Sequence, residues 1–91
     1  MMQNAANVLS LAQLTHGQCA EVVDFDGGQV MAQRMVMLGI RRGVALCVVH
    51  GPGARGAVVQ VGGARIALGR GVIDKIRVAL LPANERHGRA A

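Results

Sequence analysis

Aromatic side chains are nearly absent: Phe25 is the single ring, with no Trp and no Tyr. Sequence-tolerant binding of single-stranded nucleic acid rests on several aromatic stacking platforms, so one ring argues against it. The core must instead be filled by Val, Leu, Ile and Met. Long apolar runs are missing too. Polar or charged residues interrupt every stretch before the ~18–20 residues needed to span a bilayer, so no membrane insertion is expected. The first charged side chain is Glu21, so the N-terminus lacks the basic region of a secretory signal, and the expected compartment is the cytoplasm. Cysteine is limited to Cys19 and Cys47. In a reducing cytosol, and without a denser cysteine framework, these are expected to be thiols. Acidic residues are scarce, five against ten basic ones, and Arg86 and Arg89 fall in a C-terminal stretch with no apolar pattern.

What is present is a short, folding-competent chain of 91 residues with 13 glycines and 52% hydrophobic content, enough for one domain with one small core. Residues 1–8 read as a lead-in, 9–82 as the domain and 83–91 as a mobile basic tail. Ser10-Leu11-Ala12-Gln13 has the spacing of a capping box, with Leu9 and Leu14 placed as a hydrophobic staple around one helical turn ended by Gly17. Residues 20–25 read as a strand whose apolar phase slips at Val23, which requires a bulge or strong twist. After Asp26-Gly27-Gly28, Met31, Met35 and Leu38 recur at helical spacing until Gly39, which suits a left-handed cap with Ile40 as its apolar contact. Val44 to Val49 is a buried strand stopped by Gly51-Pro52-Gly53.

The clearest local signal follows. Residues 57–61 and 64–68 flank Gly62-Gly63, and a two-residue turn there sets Val61 against Ala64, Val59 against Ile66, Ala57 against Leu68 and Gln60 against Arg65. Residues 69–74 are turn-like, and 75–80 alternate with Ile76, Val78 and Leu80 inward, ended by Pro82. Five short antiparallel strands with one inserted helix and a short N-terminal helix are most economically arranged as a mainly β, partly closed small barrel, since closure removes exposed edges.

Candidate chemistry is sparse. Gly51-Pro52-Gly53-Ala54-Arg55-Gly56 has the letters of a dinucleotide-binding loop, but a strand follows where that mechanism needs a helix N-terminus. His16-x-x-Cys19 and Cys47-x-x-His50 have mirrored spacings that could supply two imidazoles and two thiolates to zinc or ferrous iron. Residues three apart on a regular strand point to opposite faces, so Cys47 and His50 are not expected to converge, and no cofactor is expected. Glu21, Asp24 and Asp26 have no spacing that organises a hard cation. The sole serine, Ser10, is used as a cap, and no histidine and carboxylate accompany it, so no enzymatic activity is expected. The arginines could form a phosphate-binding face, but a solvated surface or an acidic protein partner suits them better.

Ser10-Leu11-Ala12-Gln13-Leu14-x-x-Gly17, Arg34-Met35-x-x-Leu38-Gly39-Ile40-Arg41-Arg42-Gly43, Ile66-Ala67-Leu68-Gly69-Arg70 and Ile76-Arg77-Val78, in this order, resemble the FeoA family of ferrous iron transport accessory proteins. The resemblance runs from about Leu9 to Leu81. It implies an SH3-like small barrel, cytoplasmic and non-enzymatic, that assists the FeoB-type membrane transporter by contacting its cytosolic GTPase portion. It carries over no metal ligands. A similar fold forms the C-terminal domain of iron-dependent repressors, where it is attached to a DNA-binding winged helix; no such part is expected here. The expected docking surface comprises Met35, Leu38, Ile40, Arg41 and Arg42, an apolar centre with a basic rim. The alternatives are a nucleic-acid-binding barrel and a metal-binding protein using His16, Cys19, Cys47 and His50.

Overall fold

A computed structural model describes residues 8–82; the expected basic tail and all but the last residue of the expected lead-in lie outside the described residues. Six strands form one antiparallel sheet in the order β1-β6-β2-β3-β4-β5, where β1 is Val8–Ser10, β2 Cys19–Phe25, β3 Ala45–Gly53, β4 Gly56–Val61, β5 Ala64–Leu68 and β6 Ile76–Leu80. The helix α1, Gly28–Met37, joins β2 to β3, and the short helix α2, Arg70–Ile73, joins β5 to β6. The fold class is the expected one, mainly β with one main helix. The sheet does not close: β1 and β5 are left as its two edges.

Four differences from expectation have local causes. Val8, expected in the lead-in, begins a strand because Val8, Leu9 and Ser10 pair with Ala79, Val78 and Arg77 of β6, a register invisible from a three-residue segment alone. The stretch after β5 closes into the single turn α2, with Ile73 fully buried. Leu80, expected inward by alternation, is exposed, because the core along β6 ends at Val78. Finally, β3 does not stop before Gly51-Pro52-Gly53. It continues to Gly53 against Gly56 of β4, absorbing the irregular residues as register shifts between Val48 and His50 and between His50 and Gly53.

Elsewhere local chemistry holds. Leu11–Gln13 forms one 3₁₀ turn, and Gln13 Oε1 accepts the Ser10 backbone N–H at 2.8 Å, the return half of a capping box. The β2–β6 ladder shifts register between Val22 and Asp24, which brings Phe25 to the core side together with Ala20 and Val22. Gly39 has φ +86°, and Ile40 folds back to donate its N–H to the Met35 carbonyl at 2.9 Å. The β4–β5 hairpin has the expected register at all five pairs, with Arg65 Nε donating to Gln60 Oε1 at 3.4 Å on the outer face.

One hydrophobic core results, in which Leu11, Ile40, Leu46, Ile73, Ile76 and Val78 are completely or almost completely removed from water. Met31 and Met35, one turn apart, fasten α1 to it. A buried Leu or Ile contributes about 1.5–3 kcal/mol through transfer from water, so these few side chains dominate the stability of a chain this small.

Candidate functional site

Three regions gather the side chains singled out from sequence: the end of β3 with its two cysteines and histidines, the exposed face of α1, and the seam between α1 and β2.

At the first, Cys19 of β2 stands directly opposite Cys47 of β3 and the two are joined in a disulfide, with Cα atoms 3.9 Å apart. The expectation of free thiols is corrected. Val48 N donates to Gln18 O at 2.9 Å, so the next pair inward, Cys19 and Cys47, occupies a non-hydrogen-bonded position, where facing side chains approach most closely. Compartment and cysteine count carry no information about that register. Cys19 is buried but stands outside the core cluster.

His16 lies beside β3, with Nε2 3.1 Å from the Val49 carbonyl oxygen, and His50 is exposed beyond the register shift. Sulfurs held in a disulfide are not thiolates, so in this state Cys19 and Cys47 offer a soft metal no ligand. Among the described residues no three His, Cys, Asp or Glu side chains come together in a way that could hold a metal ion.

The second region is α1. Burial of Met31 and Met35 leaves Val30, Arg34 and Met37, at i, i+4 and i+7, as an exposed stripe beside that face, and Leu38, at the cap where the helix ends, is exposed as well. Met37 is 85% exposed and Val30 72%, high values for large apolar side chains in so small a domain. Arg34 within this stripe and Arg41 just beyond it have no ion-pair partner among the described residues. The expected docking set is therefore corrected in part: Met35, 2% exposed, and Ile40, fully buried, are core residues that position the surface without reaching a partner. Leu38, Arg41 and Arg42 are exposed. The expected surface spans the helix from Val30 to Leu38, but a helical apolar repeat does not say which of its residues the sheet covers, so Val30 and Met37 are not singled out from sequence; both fall outside the repeat set by Met31 and Met35.

The third region is a shallow cavity of about 420 Å³ between α1 and the end of β2, with Phe25 and Ala32 among its walls and Gln29 and Gln33 among its polar lining. Arg42 closes one side: Nε and Nη2 both reach Asp24 Oδ1, at 3.2 and 2.9 Å, and its guanidinium carbon stands 5.8 Å from the centre of the Phe25 ring. The Asp24 carboxyl is held below its ordinary value, first by the Phe25 backbone N–H that it accepts at 2.8 Å and then by Arg42. A second exposed pair, Arg77 with Asp26 at 2.6 Å, ties β6 to the turn before α1 and raises the Arg77 guanidinium pKa above its already high ordinary value. These pairs set geometry more than stability, because both lie in water.

None of these regions assembles a nucleophile with a base, and no helix among the described residues is long and apolar enough to cross a membrane. What the arrangement offers is a surface: an apolar stripe, uncompensated arginines and a polar groove on one helix.

The family model for the FeoA domain matches residues 9–80. No curated protein matches the chain by sequence. Among solved structures, the chain is similar to the crystal structure of an iron uptake regulatory protein, FeoA, at 28% identity and TM-score 0.76, with 81% of this chain and 99% of that one covered. It is similar to the solution structure of FeoA from Chlorobium tepidum at 27% identity and TM-score 0.71, covering 81% and 71%. The zinc complex of Stenotrophomonas maltophilia FeoA, described as a prokaryotic SH3 domain protein, matches at 29% identity and TM-score 0.62, covering 77% and 88%. A manganese-dependent transcriptional repressor shares the fold alone, at 21% identity over 42% of its length. This chain, an SH3-like domain with six described strands, belongs to the FeoA domain family, whose members are non-enzymatic accessory proteins associated with ferrous iron transport.

Proposed function

We propose that this chain is a cytoplasmic adaptor for ferrous iron uptake that docks on the cytosolic GTPase portion of a FeoB-type membrane transporter. The observation that carries the reading is the exposed side of α1. Val30, Met37 and Leu38 present apolar area to water, while Arg34 and Arg41 stand beside them without carboxylates. An apolar centre with a basic rim suits an acidic-rimmed apolar patch on a protein, the rim steering encounter and the centre supplying residence time. The family's association with ferrous iron transport supports a partner from that transport system.

The test is calorimetric titration of the purified chain into the GTPase domain of its cognate transporter at physiological salt, with and without nucleotide. Met37→Asp is the informative variant, because a residue 85% exposed contributes little to folding and its replacement leaves the melting behaviour unchanged. Binding should be lost. Arg41→Glu should weaken binding and flatten its salt dependence, and is cleaner than reversal of Arg42, which also breaks the contact with Asp24. Undiminished binding by both variants would remove α1 from the interface.

A further inference from the structure

The sheet edge at β5 is open, and its chemistry is self-complementary. In a hairpin with the two-residue turn Gly62-Gly63, the flanking pair Val61 and Ala64 is hydrogen-bonded, and bonding alternates from there. Ala64, Ile66 and Leu68 thus direct their N–H and C=O groups to β4, while those of Arg65 and Ala67 point away from the sheet. Among the described residues no hydrogen bond reaches the main-chain groups of Arg65 or Ala67.

Sheet edges are usually blunted by proline, lysine, a bulge or an inward charge. This edge has no proline, lysine, bulge or inward charge, and its one charged residue, Arg65, lies on the outer face beside Gln60: β5 reads Ala-Arg-Ile-Ala-Leu, and its ladder with β4 keeps one register throughout, whereas the β2–β6 and β3–β4 ladders shift. Its approaches are clear as well. Ala64, Arg65 and Ala67 are exposed, and a Cβ placed on Gly62, Gly63 or Gly69 would meet no atom within 4 Å, so another backbone can come alongside.

We propose that β5 is an interface between two copies of this chain, paired antiparallel about a two-fold axis through Ile66. In that register Arg65 faces Ala67 of the second copy and Ala67 faces Arg65 of the second copy, and their outward groups make four N–H to C=O bonds. Ile66 meets Ile66 of the second copy at a non-hydrogen-bonded position, extending the core face of one sheet into the other. Arginine is never opposite arginine, and Gly63 falls opposite Gly69 of the second copy, where neither side chain obstructs the approach. The contact is isologous and closes at two copies, because each chain has one such edge and uses it once. It is small, one strand pair, so the dimer forms at high protein concentration. The net charge of +5 opposes it, so added salt strengthens it by screening. The inference does not involve α1 and stands apart from the docking reading.

Sedimentation equilibrium of the full chain, from micromolar to millimolar at low and high salt, should show a monomer passing to a dimer, earlier at high salt. In parallel, amide exchange at Arg65 and Ala67 should slow with concentration while the rest of β5 does not change. Ala67→Pro removes a single outward N–H and no bond to β4; it should keep the wild-type circular dichroism and stay monomeric where the wild type is dimeric. Should that variant fail to fold, the concentration dependence of the two amides in the wild type decides by itself. A monomer throughout the range, a folded Ala67→Pro that still dimerises, or protection confined to α1 would overturn the proposal. Protection of Arg65 and Ala67 only on adding the transporter's GTPase domain would assign the edge to that partner and equally overturn self-association.

Discussion

Replacing Gly56 by alanine probes the packing of the β3–β4 hairpin most directly. Gly56 has φ +115°, a conformation that side chains strongly disfavour, and a Cβ there would overlap the Leu68 carbonyl oxygen and lie 2.8–2.9 Å from main-chain atoms of Gly69. Those are backbone atoms at the end of β5, so no side-chain rotation relieves the contact. The backbone strain costs about 1–3 kcal/mol. Moving Leu68 away from its pairing with Ala57 sacrifices one or two hydrogen bonds, about 1 kcal/mol each, and loosens a leucine only 4% exposed. A total near 3–5 kcal/mol follows, a large share of the ~5–15 kcal/mol that holds such a domain together. Even the lower end corresponds to a fall in Tm of about 12–24 °C for a domain of this size. The assay is urea unfolding followed by far-ultraviolet circular dichroism, with Gly53→Ala as control. Gly53 has no positive φ, a Cβ on it would meet no atom within 4 Å, and its replacement should change stability by no more than about 0.5 kcal/mol. A loss below about 1 kcal/mol for Gly56→Ala would refute the close approach of β5 to this glycine.

Asp24 carries a pH prediction. Its folded pKa is lowered, so it contributes stability that is present above the ordinary carboxylate value of 3.8 and is lost as pH falls through the folded value below that. Carbon-detected NMR titration should find its midpoint below 3.8, and Arg42→Ala should raise that midpoint without fully restoring it, because the Phe25 N–H remains. An Asp24 midpoint at or above 3.8 in the wild type would contradict the hydrogen-bond geometry. The disulfide closes a loop with a sequence separation of 28, for which chain entropy gives about 3–4 kcal/mol. Reductant should therefore lower the urea midpoint while the native circular dichroism persists, and an unmoved midpoint would mean that the bond constrains the unfolded chain far less than its loop length implies.

What sequence alone determined was everything carried by short-range chemistry. The capping turn at Ser10, the slip at Val23, the left-handed glycine at Gly39 and the full register of the Gly62-Gly63 hairpin each depend on residues within a few positions of one another, and all are present in the fold. The order of family motifs from Leu9 to Leu81 was legible for the same reason: it is a linear pattern. Tertiary structure alone decided how distant segments meet. It set Val8–Ser10 beside β6, carried β3 through its glycines to Gly53, and left the sheet open with β5 at one edge. It also placed Cys19 against Cys47, 28 residues away, turning two expected thiols into a cross-strand link. The helix shows the division within a single element. Periodicity located Met31, Met35 and Leu38 but could not say which apolar residues the sheet would cover, because burial depends on what packs against the helix. Met35 and Ile40 went to the core, while Val30 and Met37 were left in water as the surface on which the functional reading rests.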